Sequence, residues 1–264
     1  MPTISIGDAD LYYEEAGEGP PLMLVPGLSG QGSFWISQVP AFSRDFRTVI
    51  HDHRGTGRST HSRIAYSVDQ MADDTLRLMD RLGIDAAHLV GHSTGGAIGQ
   101  VIALDHPDRL RSLVLSATWA GPDPFFRRLF ESRRQTLIES GVEAYLRASV
   151  LVQATPWWVS QNDGFITDLH RVTAAAAAPV DVLVSRIDAI LRHDRRQRLL
   201  EIRLPTLVIV AQDDMITPRF YSDELAARIP GAKLVVLETG GHFAPAIHSE
   251  PYNAAVGQFL RSVR

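Results

Sequence analysis

A stretch near the middle of the chain, Gly91–Gly95 with the sequence GHSTG, matches the pattern G-x-S-x-G. It follows the short apolar run His88–Val90 and opens a segment with helical spacing. A strand that turns sharply into a helix exposes its serine hydroxyl above the sheet, where the oxygen can attack a carbonyl carbon. The alternative is a tight turn whose serine only caps the helix. We expect Ser93 to be a nucleophile.

A serine hydroxyl is a poor nucleophile at neutral pH and needs a base. Among the ten histidines, His242 is the best candidate, because it lies on a glycine-rich loop directly after the apolar run Leu234–Leu237. Ligand sites of parallel sheets lie at the carboxyl ends of the strands. His51 and His53 have the H-x-H spacing of some metal sites, but no zinc motif continues it, so we expect no metal.

The imidazole in turn needs a carboxylate that holds its tautomer. Asp213 and Asp214 both lie where an apolar run ends and a new helix is predicted. We choose Asp214, which precedes Pro218 by four residues, and keep Asp213 as the reserve and Asp123 as a weaker candidate. The order serine, aspartate, histidine along the chain differs from that of chymotrypsin and of subtilisin.

Acyl transfer also requires backbone donors for the oxyanion of the tetrahedral intermediate. We expect one to be the N–H of Thr94, directly after the serine, and the other to be the N–H of Leu28 in the loop Pro26–Gly30. That loop lacks both common nucleotide-binding glycine patterns, which argues against a phosphate site.

Short apolar runs that do not alternate with polar residues surround these candidates. They are Leu22–Val25, Thr48–Ile50, His88–Val90, Leu113–Leu115, Thr206–Val210 and Leu234–Leu237. Such runs are typical of strands buried on both faces of a parallel sheet. Helical patterns begin near Ser67, Ser93, Thr217 and Ser249, and Thr3–Ile6 with Leu11–Glu15 predicts an edge hairpin. Strands that alternate with helices predict a doubly wound α/β sheet.

The stretch 120–204 interrupts this alternation, because it is helical in pattern and rich in arginine. We predict a helical cap there, inserted into a core formed by residues 1–119 and 205–264; ordinary crossover helices are the alternative. Four aromatic side chains at or within this stretch are candidates for the wall of a substrate pocket, although core packing would explain them equally well: Trp119, Phe125, Trp157 and Trp158.

Composition excludes several classes of protein. The 264 residues include no cysteine, which removes disulfide frameworks, iron–sulfur clusters and thiol nucleophiles. A net charge of −4 gives no electrostatic footprint for nucleic acid. No apolar run approaches a membrane span, and Met1–Glu15 has no signal-peptide pattern. We therefore expect a cytoplasmic protein that acts on small molecules, with no nucleic-acid or membrane partner, and that could form a homodimer.

Taken together, the motifs resemble the α/β-hydrolase family over essentially the whole chain. The segments that carry the resemblance are Val25–Leu28, Asp52–Ser59, Gly91–Gly96, Asp213–Asp214 with Pro218, and Gly240–His242. The resemblance implies a mostly parallel eight-stranded sheet with helices on both faces, a helical cap, a Ser–Asp–His triad, an oxyanion hole at Leu28 and Thr94, and no cofactor. Pro26 stands where many members have histidine, which leaves the backbone donor of Leu28 intact.

Two subgroups are most similar: the aminoacrylate or carbamate hydrolases of pyrimidine breakdown, and the 3-oxoadipate enol-lactonases. We expect a serine hydrolase that cleaves a small ester, lactone, or activated amide or carbamate through an acyl-enzyme, with ester bonds first and C–N bonds second. A C–C bond hydrolase of ring-cleavage products and a non-catalytic small-molecule receptor are the alternatives. Ser93 excludes the family's dehalogenases and epoxide hydrolases, which need a carboxylate at that position.

Overall fold

The structure is a computed structural model that describes residues 3–263. Its centre is one eight-stranded sheet in the order β1-β2-β4-β3-β5-β6-β7-β8. The strands are β1 (Thr3–Ser5), β2 (Asp10–Ala16), β3 (Pro21–Val25), β4 (Arg47–His51), β5 (Ala87–His92), β6 (Leu110–Ser116), β7 (Thr206–Ala211) and β8 (Lys233–Leu237). β2 is antiparallel to β1 and to β4, whereas β3 to β8 run parallel. The predicted α/β fold class is confirmed.

Ten α-helices accompany the sheet in residues 3–263. They are α1 (Val39–Phe42), α2 (Val68–Arg81), α3 (Thr94–Asp105), α4 (Pro124–Gln153), α5 (Pro156–Gln161), α6 (Asp163–Ala175), α7 (Val180–Arg192), α8 (Arg219–Arg228), α9 (Ala244–Ile247) and α10 (Ser249–Ser262). The start of α2 shows why the sequence signals work: the Ser67 hydroxyl accepts the backbone N–H of Gln70 at 3.0 Å, which satisfies a donor that the first helical turn leaves free.

The central strands are buried on both sides, which explains their unbroken apolar character. Neighbouring residues of a strand point to opposite faces. Leu89 and Leu113 therefore belong to the core cluster that also holds residues of α2 and α3, whereas Val90 and Val114 belong to the cluster that holds residues of α1 and α10. Two apolar layers thus fix the sheet from both sides. Polar groups at the carboxyl ends of the strands are held in place because the strands are.

The chain between β6 and β7 forms the helices α4 to α7 and contains no strand. α4 is two helical arms joined at Gly141, where a φ of 78° breaks the regular helix. α7 packs against α4. The division of the chain into a core and a cap of residues 120–204 stays a prediction.

The sequence patterns did not predict the helical turns after β3, a 3₁₀ turn over Gly32–Trp35 followed by α1. Each has four residues, too few to show a helical period. Trp35 is nevertheless fully buried, so these turns close one side of the core. No helix within residues 3–263 combines the length and the apolar composition that crossing a membrane requires.

Burial lowers the pKa of four of the buried histidines: His51, His53, His92 and His193. Burial lowers the pKa of His51 to about 4 and that of His193 to about 3, and it places the pKa values of His53 and His92 well below their ordinary value of 6.5. Each of these side chains stays neutral in the folded protein at a pH where the unfolded chain binds a proton. Below about pH 6.5 protonation therefore favours the unfolded state.

We predict that the free energy of unfolding falls as the pH drops from about 6.5 towards about 4, by up to about 1.4 kcal/mol per pH unit for each of these four histidines. Urea titrations at several pH values measure this slope. The variant His193→Phe keeps a ring but cannot titrate. The slope of its unfolding free energy against pH should therefore be smaller by about 1.4 kcal/mol per pH unit, which is the contribution of one proton. A stability that stays level between about pH 7 and 5 would contradict the prediction.

Candidate active site

Ser93 lies at the turn between β5 and α3, and its backbone has φ 54° and ψ −116°. Side chains other than glycine rarely adopt a positive φ, and holding one there costs about 1–3 kcal/mol. The neighbouring glycines make the turn feasible, because a Cβ at Gly91 would overlap the carbonyl of Gly95, and one at Gly95 would overlap the carbonyl of Val25. The sequence pattern therefore corresponds to a strained turn that presents the serine at the end of β5.

Hydrogen bonds to the next strand hold this turn in place. The N–H of Ser93 donates to the carbonyl of Ser116 at 2.8 Å, and the Thr118 hydroxyl donates to the carbonyl of Ser93 at 2.8 Å. Both partners lie at or just beyond the end of β6. The serine backbone is thus fixed on both of its polar groups, leaving its side chain as the part that can react.

A carboxylate and an imidazole meet beside this turn. Asp214 follows β7, and His242 lies in a 3₁₀ turn after β8. Nδ1 of His242 is 2.9 Å from Oδ2 of Asp214. The other carboxylate oxygen accepts the backbone N–H groups of Ile216 and Thr217 at 2.8 and 2.9 Å, and the Thr217 hydroxyl donates to Oδ2 at 3.0 Å. This set of bonds fixes Asp214 and makes Nδ1 the protonated ring nitrogen, so that Nε2 is the one free to accept a proton.

The other two acidic candidates do not contact the imidazole. Asp213 accepts the N–H of Gly241 at 2.9 Å and the Thr239 hydroxyl at 2.6 Å, so it holds the loop that leads into His242. Asp123 caps α4 by accepting the N–H of Phe126 at 2.9 Å, and it also accepts the Tyr221 hydroxyl. Of the three, Asp214 alone has the geometry of a partner for His242.

The serine, the imidazole and the loop after β3 gather at one edge of the sheet. The ring of His92, the residue before Ser93, lies 4.8 Å from the ring of His242. A Cβ at Gly27 would lie 3.2 Å from Cβ of Ser93, so the chain at Leu28 passes directly beside the serine. Thr94 is the first residue of α3, where a backbone N–H has no partner within the helix.

Solvent hardly reaches this arrangement. Ser93 is 5% exposed, and His242 and Asp214 are each 4% exposed. The junction between α4 and α5 covers the imidazole loop, since a Cβ at Gly241 would lie 3.0 Å from the carbonyl oxygen of Gln153. Excluding water strengthens the electrostatic interactions within a site.

The four aromatic candidates occupy different environments. Trp119 is fully buried, and its ring lies 4.6 Å from that of Phe126. Phe125 and Trp157 are 42% and 48% exposed, and Trp158 makes an edge contact with Phe165 on α6. Their role in walling a substrate pocket stays a prediction.

Sequence reasoning missed two features of this site. Thr217 contacts both members of the acid–imidazole pair, since its hydroxyl also lies 3.3 Å from Nδ1 of His242. From its place directly before Pro218, the sequence predicts only the start of a helix. Asp213 acts on the imidazole loop rather than on the ring, which no spacing rule reveals. No group of three or more metal-ligating side chains occurs in the part of the chain that the structure describes, and this includes the surroundings of His51 and His53.

The two neighbouring aspartates give a sharp test. We predict that Asp214→Asn lowers kcat for p-nitrophenyl acetate by about 10²–10⁴-fold, because the amide no longer holds the ring in the tautomer that accepts a proton. Asp213→Asn keeps an oxygen that can accept the Gly241 N–H, so we expect a loss below about tenfold in kcat. Thermal unfolding of both variants serves as the control for folding. A loss of kcat that is larger in Asp213→Asn than in Asp214→Asn would contradict the assignment of Asp214 as the partner of His242.

Comparison with known proteins gives matches over nearly the full chain. A protein of Azorhizobium caulinodans named "putative carbamate hydrolase RutD" is 38% identical over 253 residues, covering 96% of both chains. The protein of the same name from Caulobacter vibrioides is 39% identical over 267 aligned positions, covering 98% of this chain and 99% of its own. Among solved structures, the enol-lactonase from Burkholderia xenovorans LB400 matches with a TM-score of 0.91 at 27% identity, covering 98% of this chain and 100% of its own.

The sequence profile described as "alpha/beta hydrolase fold" matches residues 20–248, which include Ser93, Asp214 and His242. This span and the relatives above cover both the parallel sheet and the helices between β6 and β7. The chain belongs to the alpha/beta hydrolase family.

Proposed function

We propose that this protein is a serine hydrolase that cleaves a small carbonyl substrate through an acyl-enzyme. The observation that carries the proposal is the strained turn at Ser93 lying at the same edge of the sheet as the hydrogen-bonded pair of Asp214 and His242. A nucleophile, a base and a group that orients the base are the three parts that acyl transfer from serine requires.

In the proposed mechanism, Nε2 of His242 takes the proton of the Ser93 hydroxyl as the oxygen attacks the carbonyl carbon. Asp214 stabilises the imidazolium through its bond to Nδ1. The N–H groups of Leu28 and Thr94 donate to the oxyanion of the tetrahedral intermediate. His242 then gives its proton to the leaving group, and a water molecule that it activates releases the acid from Ser93.

The relatives narrow the substrate class. Those named carbamate hydrolases share 38–39% of their residues with this chain, whereas the enol-lactonase shares 27%. We therefore propose a small carbamate or activated amide first, and a small ester or lactone second, which reverses the order expected from the motifs. All of these substrates need the same acyl-enzyme, so the three roles above do not depend on the choice.

We further propose that the protein acts in the cytoplasm, without a cofactor or metal and without a nucleic-acid or membrane partner. The chemistry assigned to Ser93, His242 and Asp214 needs only protons and water. A C–C bond hydrolase would use the same three residues, and a non-catalytic receptor would use none of them for turnover.

A substrate panel tests the proposal. Wild type and Ser93→Ala are compared on p-nitrophenyl acetate, an enol-lactone, an aryl carbamate and a ring-cleavage product. We predict turnover by the wild type and a loss of about 10³-fold or more in kcat/KM in the variant, because no other group replaces the nucleophile. Ser132→Ala, which changes an exposed serine on α4, is the matched control and should retain full activity.

Equal rates in wild type and Ser93→Ala would overturn the proposal. Absence of turnover on every compound would favour the receptor. Turnover of the ring-cleavage product alone would replace ester and C–N bond cleavage with C–C bond cleavage.

A further inference from the structure

Arg186 on α7 is an arginine with 0% exposure, and its guanidinium lies against two loops of the sheet. One nitrogen donates to the carbonyl of Arg54 at 2.7 Å. Another donates to the carbonyl of Leu28 at 3.1 Å and lies 3.2 Å from Nδ1 of His53. A single side chain from the helices between β6 and β7 thus binds the loop after β3 and the loop after β4.

Its charge has no ionic partner in the structure. Within residues 3–263 no carboxylate oxygen lies within 4.0 Å of the Arg186 guanidinium, and its Nε is buried without a hydrogen bond. Burial lowers the pKa of Arg186 to about 10, so the group still carries its charge near neutral pH. The Tyr66 ring, 5.5 Å from the guanidinium, is a weak partner for this charge. Burying a charge without a contacting carboxylate is costly, and an apolar side chain would fill the same space with less loss of stability. Packing alone therefore does not account for an arginine at this position.

The loop after β4 is a firm support for this side chain. The guanidinium of Arg54 is held by Asp74 at 2.7 and 3.0 Å and by Asp8 at 2.7 and 2.8 Å. These four bonds fix the residue whose carbonyl binds Arg186. The guanidinium of Arg186 is consequently fixed at one end and can hold a second group at the other.

That group is the loop beside Ser93. Its far end is already tied, because the carbonyl of Gly30 accepts the N–H of His53 at 2.7 Å and the Thr56 hydroxyl at 2.9 Å. At Leu28, Arg186 is the one hydrogen-bond donor to the carbonyl in the described part of the chain. The Leu28 N–H belongs to the preceding peptide plane, whose own carbonyl, that of Gly27, accepts the N–H of Gly30 at 2.9 Å. Holding the Leu28 carbonyl as well fixes the peptide planes on both sides of the Leu28 Cα, and with them the direction of the Leu28 N–H.

We propose that Arg186 is a positioning residue that aims the Leu28 N–H at the oxyanion and places a positive charge behind that donor. The inference rests on the proposed hydrolase function, since it assigns Leu28 to the oxyanion hole. Donors that are already oriented before the reaction stabilise a developing charge without reorganisation. Because Arg186 belongs to α7, this donor is set in place only when α7 is packed on the sheet.

The variants Arg186→Met and Arg186→Lys test this role. The methionine variant fills similar space without charge or donors, so we predict a fall of about 10–100-fold in kcat, with KM changed by less than about threefold. The lysine variant keeps the charge and one donor and should recover part of the loss. Phenylboronic acid forms an adduct with serine in which a tetrahedral, negatively charged boron carries oxygens that mimic the oxyanion. Its affinity should fall by the same factor as kcat.

Arg192→Met is the matched control. Arg192 lies on the same helix and also donates to a backbone carbonyl outside it, that of Tyr66 just before α2, at 2.8 Å. It should change kcat and boronate affinity by less than about twofold. An equal loss in Arg192→Met would mean that any loosening of α7 has this effect, and it would overturn the assignment. A folded Arg186→Met enzyme with full kcat would overturn it as well.

A second measurement needs no variant and covers the case in which Arg186→Met does not fold. In a crystal structure of the wild-type boronate adduct, we expect a boron-bound oxygen within hydrogen-bond distance of the Leu28 nitrogen, with the bond from Arg186 to the Leu28 carbonyl intact. An oxygen held elsewhere, or a broken bond, would contradict the inference. If Ser93→Ala abolishes turnover but Arg186→Met leaves it unchanged, this inference alone is wrong. If turnover does not depend on Ser93, the proposed function is wrong as well.

Discussion

The backbone of Ser93 is the constraint on which the rest of the site depends. In residues 3–263, Ala117 is the one other residue besides the glycines with a positive φ, and it lies directly beyond the end of β6, beside the turn that holds Ser93. Strain of about 1–3 kcal/mol persists only where the surroundings determine the conformation. Here they do so through close packing at Gly91 and Gly95 and through hydrogen bonds to the neighbouring strand. The serine therefore reaches the edge of the sheet with its orientation already set.

The parallel sheet brings the other groups to the same edge. β3, β5, β7 and β8 run in one direction, so the residues that follow them meet at their carboxyl ends. Leu28, Ser93, Asp214 and His242 each follow one of these strands. The apolar layers on both faces fix the strands, and short hydrogen bonds then fix each polar side chain. The positions of these four residues thus depend on the apolar packing on both faces of the sheet.

Much of this arrangement could be predicted from the sequence, because its signals are local. Unbroken apolar runs indicated the strands, and the capping serine Ser67 indicated the start of α2. The serine turn was predictable because glycines at fixed spacing are the sole residues that fit it. The choice between Asp213 and Asp214 could be made only on the position before Pro218, since both belong to one loop and the structure alone shows which side chain faces the ring. Arg186 carried no signal at all, being one of 26 basic residues whose burial depends on contacts distant in sequence.

The reactivity of Ser93 towards a fluorophosphonate tests the account most directly. This reagent modifies a serine hydroxyl that a neighbouring imidazole activates, and ordinary serines react with it poorly. Intact-mass analysis with peptide mapping of the folded wild-type protein should find one adduct per chain, located on Ser93, and the unfolded protein should acquire none. A folded protein that stays unmodified, or one whose adduct lies on a different residue, would contradict the claim that the turn after β5 presents an activated nucleophile.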